Sequence, residues 1–234
     1  MIEISLKAEE LFHIGSVPIT NSLVVTLAVT GFLLAASIIF QRKQQLVPAG
    51  FQNFIEAGLE GFLGLAASVL GNREKAERYL PFVATIFLTV IVSNWLGLLP
   101  GVGSVGLNEV RGGHEVFVPL FRSPSADLNF TLALAVAAVV GVNLFGVAAL
   151  GFFRHIGKFF TVKGPIEFFV GILEFISEIA KMISFSFRLF GNIFAGEVLL
   201  IIVGVLIPYL IPLPFLLLEL FVGFIQAFVF SMLT

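Results

Sequence analysis

The chain has 234 residues, of which 58% are hydrophobic and only 12% charged, with a formal net charge of −2. A soluble domain is nearer half apolar and a quarter charged. Here the excess is gathered into runs at 19–40, 80–99, 128–153 and 198–233, each long enough to approach or cross a hydrocarbon layer about 30 Å thick. The absence of cysteine excludes disulfides and thiolate metal sites, and no P-loop, dinucleotide fingerprint or nucleic-acid footprint occurs.

Residues 1–18 read as a short amphipathic preface rather than a signal peptide, because no basic region leads directly into an apolar core and cleavage site. The first candidate span, 19–40, closes on Gln41, Arg42 and Lys43. By the positive-inside rule that end faces the cytoplasm and the N-terminus lies outside. Residues 51–70 carry Glu56 and Glu60 on one helical face, and Arg73, Lys75 and Arg78 follow. If this segment crossed, one of the two basic clusters would face outside, so an interfacial or re-entrant amphipathic helix is expected.

Residues 80–99 then span outward to Pro100. The loop 100–127 holds Glu109, Arg111, Glu115, Arg122 and Asp127, an acidic excess that suits the outer side. Residues 128–153 return to Arg154, Lys158 and Lys163 on the cytoplasmic side. Pro165 suits the first turn of the next helix, and no proline interrupts the pattern from Glu167 to about Val203. At ~1.5 Å per residue that run is roughly 55 Å long, almost twice the hydrocarbon thickness. It is therefore tilted beyond the usual range, or it starts along the interface. Pro208, Pro212 and Pro214 make a turn before a last helix at 215–233. The expected fold is all-α: one integral membrane domain over 1–234, with about five transmembrane helices plus the interfacial or re-entrant one. No internal repeat supports an inverted-repeat transporter.

Glu174, Glu178, Lys181, Arg188 and Asn192 fall on one stripe of the long helix, all within about 40° of Glu174 at ~100° per residue. Glu197 stands on the opposite side, and Glu219 and Gln226 share a face of the last helix, seven positions apart. Lys181 and the two stripe glutamates can pair near the headgroups. Arg188 is flanked by apolar sequence on both sides and stays ionised under burial. An embedded charge is costly unless paired or wetted, so two polar surfaces on opposite sides of one helix suggest two separate wet regions rather than one pore. The residues alone leave three readings open: an autonomous secondary transporter, a membrane scaffold, or the stationary half of a larger machine. Asp127 reads equally as the N-cap of a helix starting at 128. Asn94, Asn129 and Asn143 are weaker polar candidates, and His13 and His155 read as interfacial.

The run Phe187-Arg188-Leu189-Phe190-Gly191-Asn192-Ile193-Phe194-Ala195-Gly196-Glu197 resembles the signature of subunit a of F-type ATP synthases. Further similarity lies in His13-Ile14-Gly15, Ile19-Thr20-Asn21-Ser22, Asn94-Trp95-Leu96-Gly97-Leu98-Leu99-Pro100, Pro124-Ser125-Ala126-Asp127-Leu128-Asn129 and Gln226-Ala227-Phe228-Val229-Phe230, spread over practically the whole chain. The resemblance implies a non-catalytic stator subunit of the Fo sector, without a cofactor. Its partners would be a ring of c subunits, b-type peripheral-stalk subunits and, indirectly, the F1 catalytic sector. It implies a steeply inclined hairpin of the last two helices against the c-ring, in the inner membrane of a bacterium, with the C-terminus cytoplasmic.

Arg188 matches the arginine between two half-channels, which would meet each passing ring carboxylate. Asn192, Glu197, Gln226 and Glu174 match further ion-path positions, with Gln226 expected beside Arg188. Glu219 stands where many members carry histidine, which keeps a titratable group but departs from the common pattern. Glu178, Lys181, Asp127 and Asn129 are secondary candidates. Proton against sodium use, ring size, source organism and any residues beyond Thr234 stay open.

Overall fold

The computed structural model describes residues 7–234 except 16, 46, 49, 100, 101, 104, 112, 113, 158, 160–163 and 208–210. A β-hairpin of β1 (Glu10–Ile14) and β2 (Val17–Thr20) leads into helix α1 (Asn21–Lys43). Thr20 caps α1 by accepting from the Leu23 amide, and Arg42 and Lys43 occupy its last turn, where cations complement the helix dipole. Helix α2 (Phe51–Leu70) ends at Gly71, whose φ of 65° is the left-handed cap that glycine supplies without strain. Asn72 then caps α3 (Arg73–Gly97) by accepting from the Glu74 and Lys75 amides.

A second hairpin, β3 (Gly106–Arg111) and β4 (His114–Pro119), follows. A 3-10 turn at Pro124–Ala126 delivers the chain to α4 (Leu128–Leu150). Gly151, at φ 84°, turns the chain back into the short α5 (Phe152–Ile156). The fold closes with α6 (Pro165–Leu206) and α7 (Pro212–Leu233). The two hairpins are absent from the all-α expectation: each is too short to show a period-2 signal against the apolar helices. Pro165 and Asp127 stand where expected, as a first-turn proline and as the α4 N-cap.

Among the described residues, six helices are long and apolar enough to cross a membrane: α1, α2, α3, α4, α6 and α7. Their large side chains face outward, as Leu27, Phe32, Leu34 and Ile38 do on α1 and Phe168, Phe169, Ile176 and Phe187 on α6. In water such a surface would aggregate; in lipid it is the solvated face. The protein is therefore a multi-pass α-helical membrane protein. α6 has 42 residues, about 63 Å at ~1.5 Å per residue, longer still than the sequence indicated.

The core is shared by four helices: Ile86, Val90 and Ile91 of α3, Ala135 and Ala138 of α4, Phe185, Leu189 and Ile193 of α6, and Ala227 and Phe230 of α7. Alanines on α4 permit close approach to α6, the device that replaces hydrophobic drive inside a bilayer. Polar bonds set the rotation of each helix. Asn94 donates to the Gly223 carbonyl at 3.0 Å and Trp95 to the Leu220 carbonyl at 3.1 Å, locking α7 on α3. Thr131 and Ser186 share a hydrogen bond of 3.1 Å that locks α6 on α4. Arg73 reaches back to Glu60 at 2.8 Å, and the Phe62 ring lies 5.1 Å from Phe87 and 5.7 Å from Phe228. Together these contacts fold α2 back alongside α3.

Candidate functional site

The α4 and α7 contacts turn Phe185, Ser186, Leu189 and Ile193 inward, so the opposite face of α6 points away from the bundle. Positions 181, 184, 188 and 192 recur there at the helical period. Lys181, Ser184, Arg188 and Asn192 are all exposed on that face, while Glu174 and Glu178 are half-buried at its edge. Arg188 makes its one hydrogen bond among the described residues within its own helix, from Nη2 to Ser184 Oγ at 3.4 Å. Among the described residues no carboxylate pairs with it, so the described structure offers no salt bridge as the reason for its presence. Gln226, expected beside Arg188, instead accepts from Asn192 Nδ2 at 2.8 Å, one turn further along. That bond ties α6 to α7 just beyond the arginine.

Toward the end of the bundle that carries the starts of α1 and α4, Glu197 and Glu219 form an acidic pair of positions flanking Gly196. Glu219 is buried. A Cβ at position 196 would overlap its carboxyl group, so glycine at 196 is what lets that side chain lie between α6 and α7. Glu197 Oε2 lies 3.8 Å from Arg122 Nε. Arg122 is only 6% exposed, stands over the Phe194 ring at 5.8 Å, and donates from Nη1 to the Lys7 carbonyl at 3.0 Å. It sets a positive charge facing Glu197, a contact that the helical pattern of the sequence alone does not reveal. The signal was present in principle: Arg122 lies two residues before the proline turn that packs on α6.

The segment bearing Arg122 is itself anchored, since Ser123 Oγ donates to the Ser93 carbonyl at 3.1 Å. Asp127 accepts from Ser22 Oγ and from the Asn129 amide and side chain, at 2.9 and 3.1 Å to the latter pair. Asp127 and Asn129 are thus brought together at the start of α4, with Asp127 buried and tied to the start of α1 and Asn129 exposed.

Toward the opposite end, Lys181 Nζ donates to Glu178 Oε1 at 2.9 Å, and Asn143 Nδ2 of α4 donates to Glu178 Oε2 at 3.3 Å. His155 completes the line through Asn143 at 2.9 Å. Its ring is buried against Gly146, where a Cβ would strike it. No group of three or more histidine or acidic side chains that could hold a metal occurs among the described residues.

The molecule therefore has two polar clusters at different levels of one long helix. One holds Glu197, Glu219 and Arg122, the other Glu178, Lys181, Asn143 and His155. An unneutralised arginine stands between them on an exposed face. Hydrophobic packing of Leu189, Ile193 and Phe230 fills the bundle interior at the arginine's level. This is the arrangement of a multi-pass membrane protein that handles ions rather than one that merely spans.

Comparison with known proteins gives the particular family. Residues 21–234 match the ATP synthase A chain family. Similar proteins include ATP synthase subunit a of Campylobacter jejuni, 37% identical over 226 residues, covering 95% of this chain and 85% of the relative. That of Moorella thermoacetica is 36% identical over 229 residues, covering 98% and 94%. That of Campylobacter concisus is 38% identical over 205 residues, covering 86% and 81%. The chain belongs to the ATP synthase A chain family, and is a non-catalytic, ion-translocating membrane subunit.

Proposed function

We propose that this chain is the stationary half of a rotary ion motor, with two aqueous half-channels that open on opposite sides and meet the carboxylates of a rotating c-ring at Arg188. The observation that carries this reading is Arg188 itself: exposed, bonded only to Ser184 among the described residues, and placed between two polar clusters. From Arg188 the helical rise to Glu197 is about 13 Å and to Glu178 about 15 Å, so neither cluster neutralises it. A permanent cation favours the ionised form of an approaching carboxylate. A proton is therefore shed on one side of Arg188 and regained only on the other, which prevents a short circuit. Each charge crossing releases about 2.3 kcal/mol per 100 mV, so several steps must be stored as rotation before one nucleotide is made elsewhere.

In this reading Glu197 and Glu219 belong to the outer path, and Glu174, Glu178 and Lys181 to the cytoplasmic one. Asn192 and Gln226 hold the two helices together where the paths would otherwise join, and Asp127 with Asn129 secures the outer rim. The exposed face of the inclined α6 receives the c-ring, b-type stalk subunits hold the chain against rotation, and F1 is driven at a distance. The basic ends at Arg42, Lys43, Arg73, Lys75 and Arg78 face the cytoplasm together only if α2 does not cross. In this reading α2 is a re-entrant arm folded against α3 through Arg73–Glu60 and Phe62–Phe87, and the chain has five spans with the N-terminus outside and the C-terminus inside.

The test is Arg188→Ala in the assembled complex. ATP-driven proton pumping into vesicles should be lost, while the chain still co-purifies with the ring and stalk. Pumping at the normal rate would overturn the role.

A further inference from the structure

Arg122 is a buried guanidinium held on three sides by different parts of the chain. Nη1 donates to the Lys7 carbonyl at 3.0 Å. The group stands over the Phe194 ring at 5.8 Å, and Nε lies 3.8 Å from Glu197 Oε2. Phe194 and Glu197 are three positions apart on α6, so they are neighbours on one face of that helix. Nε and Oε2 are both buried, and neither has a hydrogen-bond partner among the described residues. At 3.8 Å they meet as opposite charges rather than as donor and acceptor.

A cation this buried is costly unless an opposite charge lies close by. Among the described residues, Glu197 is the carboxylate within ion-pairing distance of it. The Glu197 side chain is 35% exposed and that of Arg122 only 7%. Water can therefore reach the acid while the cation behind it stays shielded, and its field acts on the carboxylate with little screening. Arginine keeps its charge under burial. A Glu197 carboxylate that swung away would leave that charge uncompensated, so the guanidinium draws it back to one place.

The guanidinium is itself mounted on the segment before α1. Ala8 is buried. The Glu9 amide donates to Asn21 Oδ1 at 3.2 Å, and the Asn21 amide donates to the Glu9 carbonyl at 3.0 Å. Asn21 Nδ2 donates in turn to the Pro119 carbonyl at 3.1 Å, three residues before Arg122. These bonds bring Lys7 against the loop that carries the arginine. The family match begins at Asn21, so Lys7, Ala8 and Glu9 lie before it.

We propose that Arg122 is a positioning residue of the outer ion path and that the N-terminal segment is its mount. The Lys7 carbonyl fixes the guanidinium, and the guanidinium fixes Glu197. The proposal rests on Glu197 belonging to that path. Glu219, the other acid of this cluster, is seated by the space at Gly196 instead. The side chains of Glu109, Arg111 and Glu115, on the same connection between α3 and α4, lie outside the described residues.

The experiment is ATP-driven proton pumping by the whole complex in vesicles, with co-purification of ring and stalk as the measure of assembly. Arg122→Ala should lower the rate on the order of tenfold to a hundredfold, as when a reacting group is displaced by about 1 Å. Added guanidinium should restore the rate severalfold. Urea at the same concentration is planar and of similar size but uncharged, and it should restore nothing. Arg122→Lys keeps a charge without the fork and should lose far less than Arg122→Gln. Removing the chain before Glu9 deletes the Lys7 carbonyl but keeps the bonds between Glu9 and Asn21. It should slow pumping severalfold and add no further loss to Arg122→Gln.

Equal rescue by urea, or equal losses in Arg122→Lys and Arg122→Gln, would show that Arg122 only fills space and would overturn the proposal. Should the alanine variant fail to assemble, the lysine and glutamine variants decide. An unchanged rate without the segment before Glu9 overturns the part given to Lys7. If Glu197→Gln alone pumps at the native rate, the assignment of Glu197 to the path fails first. If Glu197→Gln is impaired and Arg122→Gln is not, only the present proposal fails.

Discussion

At the residue scale, the informative positions are those where a side chain is present without a structural reason, or absent for one. Arg188 is of the first kind: a charge on a membrane helix with no carboxylate among the described residues to satisfy it. Gly196 is of the second, because the Glu219 carboxyl occupies the volume of its missing Cβ. Gly196→Ala should therefore push Glu219 out of its seat without removing any titratable group. Proton conduction through the membrane sector should fall on the order of tenfold or more, as expected when a reacting group is misplaced by about 1 Å. Flux in vesicles stripped of the catalytic head measures this directly, and unchanged flux would mean that Glu219 needs no fixed position.

The sequence showed the polar stripe because α-helical period alone places Glu174, Glu178, Lys181, Arg188 and Asn192 together. It could not show Arg122 on Glu197 or His155 on Asn143. Those meetings depend on loops that return to the bundle, and no periodicity encodes where a loop lands. The positive φ of Gly151 is the local cause of one such return.

At the element scale, the helix boundaries carry clear physical signatures: Thr20, Asn72 and Asp127 as N-caps, Gly71 as a left-handed C-cap, and Pro165 and Pro212 in first turns. The starts at Asp127 and Pro165 were legible from sequence. The β-hairpins were not, being brief pairings whose partners are set by the chain reversal itself. Asp127 joins two elements, since it caps α4 and accepts from Ser22 on α1. Asp127→Ala should lower the stability of the assembled sector by about 1–2 kcal/mol, read as a lower midpoint in thermal unfolding. Asp127→Asn, which can still cap, should lose much less. Equal losses would show that the negative charge, not the cap, is what the position supplies.

For the whole molecule, the length of α6 is the dominant fact. A helix of 42 residues cannot stand upright in a layer about 30 Å thick, and the sequence already indicated the surplus through its long stretch without proline. What length alone did not reveal was which side of the helix would be packed and which left bare. The Thr131–Ser186 and Asn192–Gln226 bonds decide that, and they leave Arg188 on the bare side. The two clusters then sit at different levels, with packed side chains between them. The central claim is that they connect to opposite sides of the membrane and never to each other within this chain. The native chain contains no cysteine, so single cysteines at Glu178→Cys and Glu219→Cys can be labelled in the assembled complex with a membrane-impermeant thiol reagent. The account predicts that position 178 reacts only from the cytoplasmic side and position 219 only from the outer side. Labelling of either position from both sides, or of both from the same side, would contradict it.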